Sequence, residues 1–231
     1  MDTMRPIYEK AVADAKAADT PEKRRGVGIA WGGFNVTEGG GDSAEVALEL
    51  MPGNKIRKYD TWHAMGQGAT TGSLVVTLEA LKEMHLTPED IQLIQNDTKT
   101  CPDTGMAGAS RSLYMDGNAT IIAANKLLAA MRKEDGTLRT YDEMKAEGIE
   151  TKYLGRYETN TTPGLCRLDP NTGIGDPTPA FTYCLNLAEV EVDTKTGKTT
   201  VLKFTCVDFL GRIGNIDAVN GQAYSGIMHG I

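Results

Sequence analysis

Residues 61–72, Thr-Trp-His-Ala-Met-Gly-Gln-Gly-Ala-Thr-Thr-Gly, hold the most informative chemistry of this chain. A strand-like start breaks into Gly66-Gln67-Gly68 and enters the apolar run 73–81. A strand, a tight glycine turn and a helix start aim free backbone N–H groups at one point, which suits an anionic or amide-rich ligand. Gln67 at the tip can donate and accept at once, as reading the edge of a heterocycle requires. The same spacing also fits an ordinary strand-to-helix corner, where glycine supplies a positive φ. Gly66, Gly68 and Gly72 do not match Gly-x-Gly-x-x-Gly, and no Gly-Lys-Ser/Thr follows, which disfavours Rossmann and P-loop nucleotide binding.

Other reactive residue types lack productive spacing. Cys101, Cys166, Cys184 and Cys206 include no Cys-x-x-Cys pair, so they read as four reduced thiols of a cytoplasmic protein rather than zinc or cluster ligands. His63, His85 and His229 are far apart and form no helical His-x-x-x-His site. The net charge of −7 and the single compact basic group Lys23-Arg24-Arg25 argue against a nucleic-acid partner. No apolar run approaches the roughly 20 residues that cross a bilayer, and Asp2 and Glu9 interrupt any signal-like start.

The elements that must position the turn follow from periodicity. Residues 8–16 read as a helix, and Thr20-Pro21-Glu22-Lys23 as a second short helical start. Residues 26–33 read as a buried strand, and 44–50 and 56–63 as a hairpin around Pro52-Gly53-Asn54. The helix after the glycine turn ends near Met84; Thr87-Pro88-Glu89-Asp90 caps or turns into a short strand at 91–94. From about Leu113 to Lys133 the pattern is helical, with Ile121, Ile122, Ala124, Leu127, Leu128 and Met131 as its apolar stripe and Gly117 as a point of close packing or ligand contact. Residues 135–179 look irregular apart from a short helix at 141–147. A hairpin at 182–207 follows, and then a helix from Ile216 that stops without a polar tail, which predicts a piece of a longer polypeptide.

Trp62-His63-Ala64-Met65-Gly66-Gln67-Gly68, Pro88-Glu89-Asp90-Ile91 with Asn96-Asp97-Thr98, Pro102-Asp103-Thr104-Gly105, Ala107-Gly108-Ala109-Ser110-Arg111 and Gly221-Gln222-Ala223-Tyr224 occur in this order. The ordered set, over residues 26–231, resembles the molybdenum-binding subunit of the xanthine dehydrogenase and aldehyde oxidoreductase family, closest in flavour to bacterial aldehyde oxidoreductases. The resemblance implies an α+β fold: two lobes of mixed β-sheet with packed helices, forming part of a larger molybdopterin-binding subunit. An N-terminal helical segment occupies 1–25, a first lobe with the cofactor loop 26–134, an irregular connection 135–179, and a truncated second lobe 180–231.

The resemblance also implies roles. Met65, Gly66, Gln67 and Gly68 would contact the pterin; Ala109, Ser110 and Arg111 would face it; Asn215 and Gln222 would lie by the dinucleotide. Other readings stand beside these. Ser110 also fits a helix cap, Arg111 a surface or inter-subunit charge, and Gln222 a buried hydrogen-bonding residue, while Trp62 and His63 fit core or supporting positions better than catalysis. The implied cofactor is molybdopterin, as the cytosine dinucleotide with Mo, with iron–sulfur clusters on other domains or subunits. Its partners would be the rest of the molybdenum subunit, the iron–sulfur part and a small-molecule substrate, an aldehyde or N-heterocycle oxidised with water as oxygen source. No catalytic or metal-ligating residue is assigned. The family's catalytic glutamate lies in a Gly-Val-Gly-Glu-type segment that does not occur in 1–231, so the chain alone is expected to be inactive. Where the family often has Asp two residues before Gly211, Phe209 stands; Asp208 is shifted by one, which sends its side chain to the other face of a strand. The alternatives are a non-catalytic assembly module and an unrelated small-molecule-binding protein.

Overall fold

The computed structural model describes residues 4–36, 41–159 and 168–231. The chain forms two compact units. The smaller comprises Met1–Phe34, Phe181–Ile213 and Val219–Ile231, and the larger Asn35–Ala180 and Gly214–Ala218. The fold is α+β, as expected.

In the larger unit, β2 (Ser43–Met51) and β3 (Lys55–Asp60) form an antiparallel hairpin around Pro52–Asn54, where Gly53 takes φ +75°. From β3 the chain runs through α2 (Ala69–Ala80) to β4 (Ile91–Gln95), which pairs parallel with β3. A reciprocal Thr87–Asp90 capping box sets the turn into β4. The sheet order is β4-β3-β2-β5, with β5 (Lys152–Glu158) antiparallel to β2. Residues 152–158 fall in the stretch expected to be irregular. Around them, α4 (Tyr141–Ala146) follows the predicted short helix, with Thr140 and Glu143 capping it reciprocally.

Helix α3 (Arg111–Met131) packs over this sheet. Its core face is Met115, Ala119, Ala123, Ala124, Leu127, Leu128 and Met131, against Leu48, Leu50, Ile56 and Leu81. Ile121, predicted within the stripe, is largely exposed; Ala123 takes the inward position instead. Gly117 is buried beside α2, but a methyl there would meet Val76 Cγ1 at an ordinary 3.8 Å. The position that demands glycine is Gly155, where a methyl would lie 2.0 Å from the Ala119 carbonyl oxygen.

In the smaller unit, β1 (Lys23–Val36), β6 (Ala180–Asp193) and β7 (Thr199–Phe209) form a sheet in that order, with α1 (Met4–Ala17) contributing Met4 and Ala11 to a small core around Leu187. Three expectations change here. The strand assigned to the first lobe pairs with β6, since register across a sheet is not set by closeness in sequence. It is also mostly exposed, Trp31 at 70%. No helix starts at Thr20: its backbone N–H donates to the Lys23 carbonyl at 2.8 Å and its Oγ1 accepts from the Lys23 N–H, a turn that leads straight into β1. α5 (Ile216–Gly230) completes the chain's elements.

Candidate functional site

The glycine turn is built as the sequence suggested, by residues that differ in role. Gly66 and Gly68 take φ +99° and +85°, and Gly68 is the residue before α2. No side chain caps α2, and among the described residues the N–H groups of Ala69, Thr70 and Thr71 have no partner; the first helical bond is Gly72 N–H to the Gly68 carbonyl, 2.9 Å. These are donors at the positive end of a helix dipole. Gln67 spends its amide inside the turn. Its Oε1 accepts from the Met65 N–H at 2.5 Å, and its Nε2 donates to the His63 carbonyl at 3.0 Å. Gln67 therefore staples the loop instead of presenting both amide ends outward. The Met65 side chain is 73% exposed. Trp62 is buried against Gly72, whereas His63 is exposed and contributes only its carbonyl.

A second turn has the same form. Ala109 and Ser110 take φ +45° and +53°, two consecutive non-glycine residues in the left-handed region, immediately before α3. Such backbone costs of order 1–3 kcal/mol each and clusters at ligand sites. Ser110 occupies the cap position but makes no side-chain capping bond, which removes the simple cap reading. Among the described residues the N–H groups of Ser112 and Leu113 have no partner.

Arg111 is not a surface charge and has no donor left for a ligand. It is 5% exposed, with Nε and Nη2 paired to Asp42 Oδ2 and Oδ1 at 2.7 and 2.8 Å. The remaining donors reach the carbonyls of Ser43 (2.8 Å), Thr104 (3.0 Å) and Met106 (2.7 Å). All five guanidinium N–H groups are used to hold the loop before α3.

Asn215 accepts from the Ala218 N–H at 3.0 Å and so caps the start of α5; a methyl on Gly68 would meet Ala218 Cβ at 3.7 Å, which brings this cap to the glycine turn. Gln222 belongs to the smaller unit. There it lines an open cleft of about 610 Å³ with Cys184, Asn186, Cys206 and Asp208. Burial, then the Asp208 carboxylate that accepts from its Sγ at 3.1 Å, pushes the Cys206 thiol up to about 12, so it stays protonated. Cys101, Cys184 and Cys206 form no disulfide among the described residues, and Cys166 lies outside them.

Sequence reasoning missed a buried ionic cluster behind the first turn. Lys58, Asp60 and Asp116 are each 0% exposed. Lys58 Nζ lies 2.7 Å from Asp116 Oδ2, 3.3 Å from Asp60 Oδ2 and 2.9 Å from Thr120 Oγ1. Asp60 accepts from Ser73 Oγ (2.8 Å), Gln95 Nε2 (2.8 Å) and the Trp62 N–H (3.3 Å). The signal was present: Ile56, Lys58 and Asp60 alternate onto one strand face, and Ile56 is core.

Burial, opposed by Lys58 and reinforced by Asp60, pushes the Asp116 carboxyl up to about 6, and its Oδ1 has no partner among the described residues. A carboxyl with a raised folded pKa stabilises fully below its unfolded value and loses that contribution as pH rises through its folded value. Asp116→Asn should therefore flatten the fall in stability between pH 4 and 7 and gain at most about 3 kcal/mol at neutral pH. Thermal melts across pH check this; a variant with the wild-type slope would contradict it.

The N–H groups at two helix starts, each preceded by left-handed residues and without a partner among the described residues, suit an anionic ligand. The sequence model of the family described as Molybdopterin cofactor-binding domain matches residues 4–231. The chain belongs to this family, within the aldehyde oxidoreductases and xanthine dehydrogenases. It is 37% identical to the aldehyde oxidoreductase of Megalodesulfovibrio gigas over all of this chain and 25% of that protein. The solved aldehyde oxidoreductase of Desulfovibrio desulfuricans superposes with a TM-score of 0.92 at 40% identity, over 99% of this chain and 25% of that one. The carbon monoxide dehydrogenase large chain of Hydrogenophaga pseudoflava is 27% identical over 82% of this chain and 25% of its own length. The chain thus spans about a quarter of the length of these relatives. Among the described residues no helix is long and apolar enough to cross a membrane.

Proposed function

We propose that this chain is the cofactor-contacting portion of a molybdenum hydroxylase that oxidises aldehydes or N-heterocycles with water as oxygen source. The observation that carries the reading is the pair of helix starts, after Gly68 and after Ser110, whose first N–H groups have no partner among the described residues. The backbone at Gly66, Gly68, Ala109 and Ser110 binds the pterin dinucleotide, in its cytosine form. Gln67 and Arg111 shape the two turns, and Asn215 caps the helix start beside Gly68. When bound, the molybdenum supplies the oxidation chemistry; this chain supplies binding and orientation. The catalytic base, the iron–sulfur clusters and the residues that select substrate belong to other domains or subunits, and the chain by itself turns over no substrate.

The test is the pterin content of the complete enzyme, measured by native mass spectrometry. Gly68→Val puts a β-branched residue at φ +85° and should lower occupancy about tenfold. Gln67→Ala removes two loop bonds of about 1 kcal/mol each and should have a smaller effect. Wild-type occupancy in both variants would remove this turn from the site.

A further inference from the structure

The cluster behind the first turn does more than fill the core. Asp60 ends β3, directly before the loop 61–68. Through Oδ1 it holds the Trp62 N–H at the loop's entry and Gln95 at the end of β4; through Oδ2 it holds Ser73, in the second turn of α2 beyond the loop's exit. The same Oδ2 sits 3.3 Å from Lys58, and Lys58 is held in turn by Asp116 and Thr120 in the second and third turns of α3. One ammonium thus joins the two helices whose starts present free N–H groups. The Trp62 ring, 5.6 Å from Nζ, covers it.

We propose that Lys58, Asp60 and Asp116 are positioning residues that hold the glycine turn and the Ala109–Ser110 turn in register with each other; this rests on the functional reading above. Three observations favour positioning over stability alone. Two carboxylates and one ammonium at 0% exposure leave an excess negative charge in a dry site, a costly way to fill a core. Well-packed apolar replacements of buried ionic clusters are often neutral or stabilising. The bonds of Asp60 converge on both ends of one loop, and those of Lys58 extend the tie to the next helix. Asp116 Oδ1 has no partner among the described residues.

The decisive experiment replaces the cluster in the complete enzyme with Lys58→Met, Asp60→Asn and Asp116→Leu together. The expected variant melts within a few degrees of wild type or above it. Its amide exchange should be at least about tenfold faster at the first hydrogen-bonded amides of the two helices, Gly72 and Met115, and its pterin retention after dialysis about tenfold lower. A folded variant with wild-type exchange at both helix starts overturns the proposal. Should the triple variant not fold, Ser73→Ala removes only the tie from Asp60 to α2; faster exchange of the Gly72 amide supports the proposal and unchanged exchange overturns it. The exchange readout judges the cluster whether or not cofactor is present. A wild-type enzyme without pterin would instead defeat the functional reading.

Discussion

Gly155→Ala is expected to cost at least about 3 kcal/mol, at the upper end of overpacking penalties, because nothing at that contact can swing aside. Gly155 lies in β5 opposite Val46 of β2, and its missing side chain faces α3. A methyl would sit 2.0 Å from the Ala119 carbonyl oxygen, 2.5 Å from the Ala123 backbone nitrogen and 3.0 Å from Ala123 Cβ. Two of these three atoms are backbone, so relief requires the whole helix to lift from the sheet. Lifting α3 loosens Ala119 and Ala123 and drags Asp116 and Thr120 away from Lys58. Denaturant unfolding should show a lower midpoint with little change in slope. Ala123→Gly should not rescue the variant, since it removes only the Cβ contact. A loss below about 1 kcal/mol, or full rescue by Ala123→Gly, would mean that helix and sheet approach less closely than this.

That contact also shows where sequence reading ends. The β2–β3 hairpin was legible because residues 44–50 alternate and Pro52-Gly53-Asn54 punctuates them, and the β6–β7 hairpin for the same local reason. The β5 sequence, Lys-Tyr-Leu-Gly-Arg-Tyr-Glu, has no β-branched residue and a central glycine, so its local preference points to a loop. It is a strand because β2, more than a hundred residues earlier, offers an edge, and its glycine is where α3 lies closest. Pairing of β1 with β6 is equally non-local. At the candidate site, the glycine spacing and the Ala-Ser before α3 marked both turns. What each side chain does was not legible. Gln67 was read by its capacity to face outward, but its nearest partners are the Met65 N–H and the His63 carbonyl of its own loop. Lys58 and Asp60 carry charge, which suggests a solvated face until Asp116 and Thr120 arrive from another helix.

Arg111→Met tests the other turn, with an expected loss of about 3–5 kcal/mol, the range for removing one partner of a buried ion pair. Methionine fills part of the volume but donates nothing. Asp42 loses its bidentate guanidinium, and the carbonyls of Ser43, Thr104 and Met106 lose a donor. Lysine cannot substitute: its single ammonium cannot reach a carboxylate and three carbonyls with the fork of a guanidinium. Arg111→Lys should therefore recover less than half of the loss. The damage should concentrate in residues 104–110, because those carbonyls fix the loop path and Gly105, at φ +78°, sits so close to the guanidinium that a methyl there would clash with Nη1 and Nη2 at 2.8 Å. Once that path relaxes, nothing keeps Ala109 and Ser110 in the left-handed region, and the N–H groups at the start of α3 lose their fixed direction. Thermal melting should fall by roughly 10 °C for a protein of this size. In the complete enzyme pterin should be lost even under conditions where the variant remains folded. A variant that melts with wild type would show that Arg111 is a passive filler. One that melts lower yet keeps its pterin would separate the stability of the loop from the geometry of the turn.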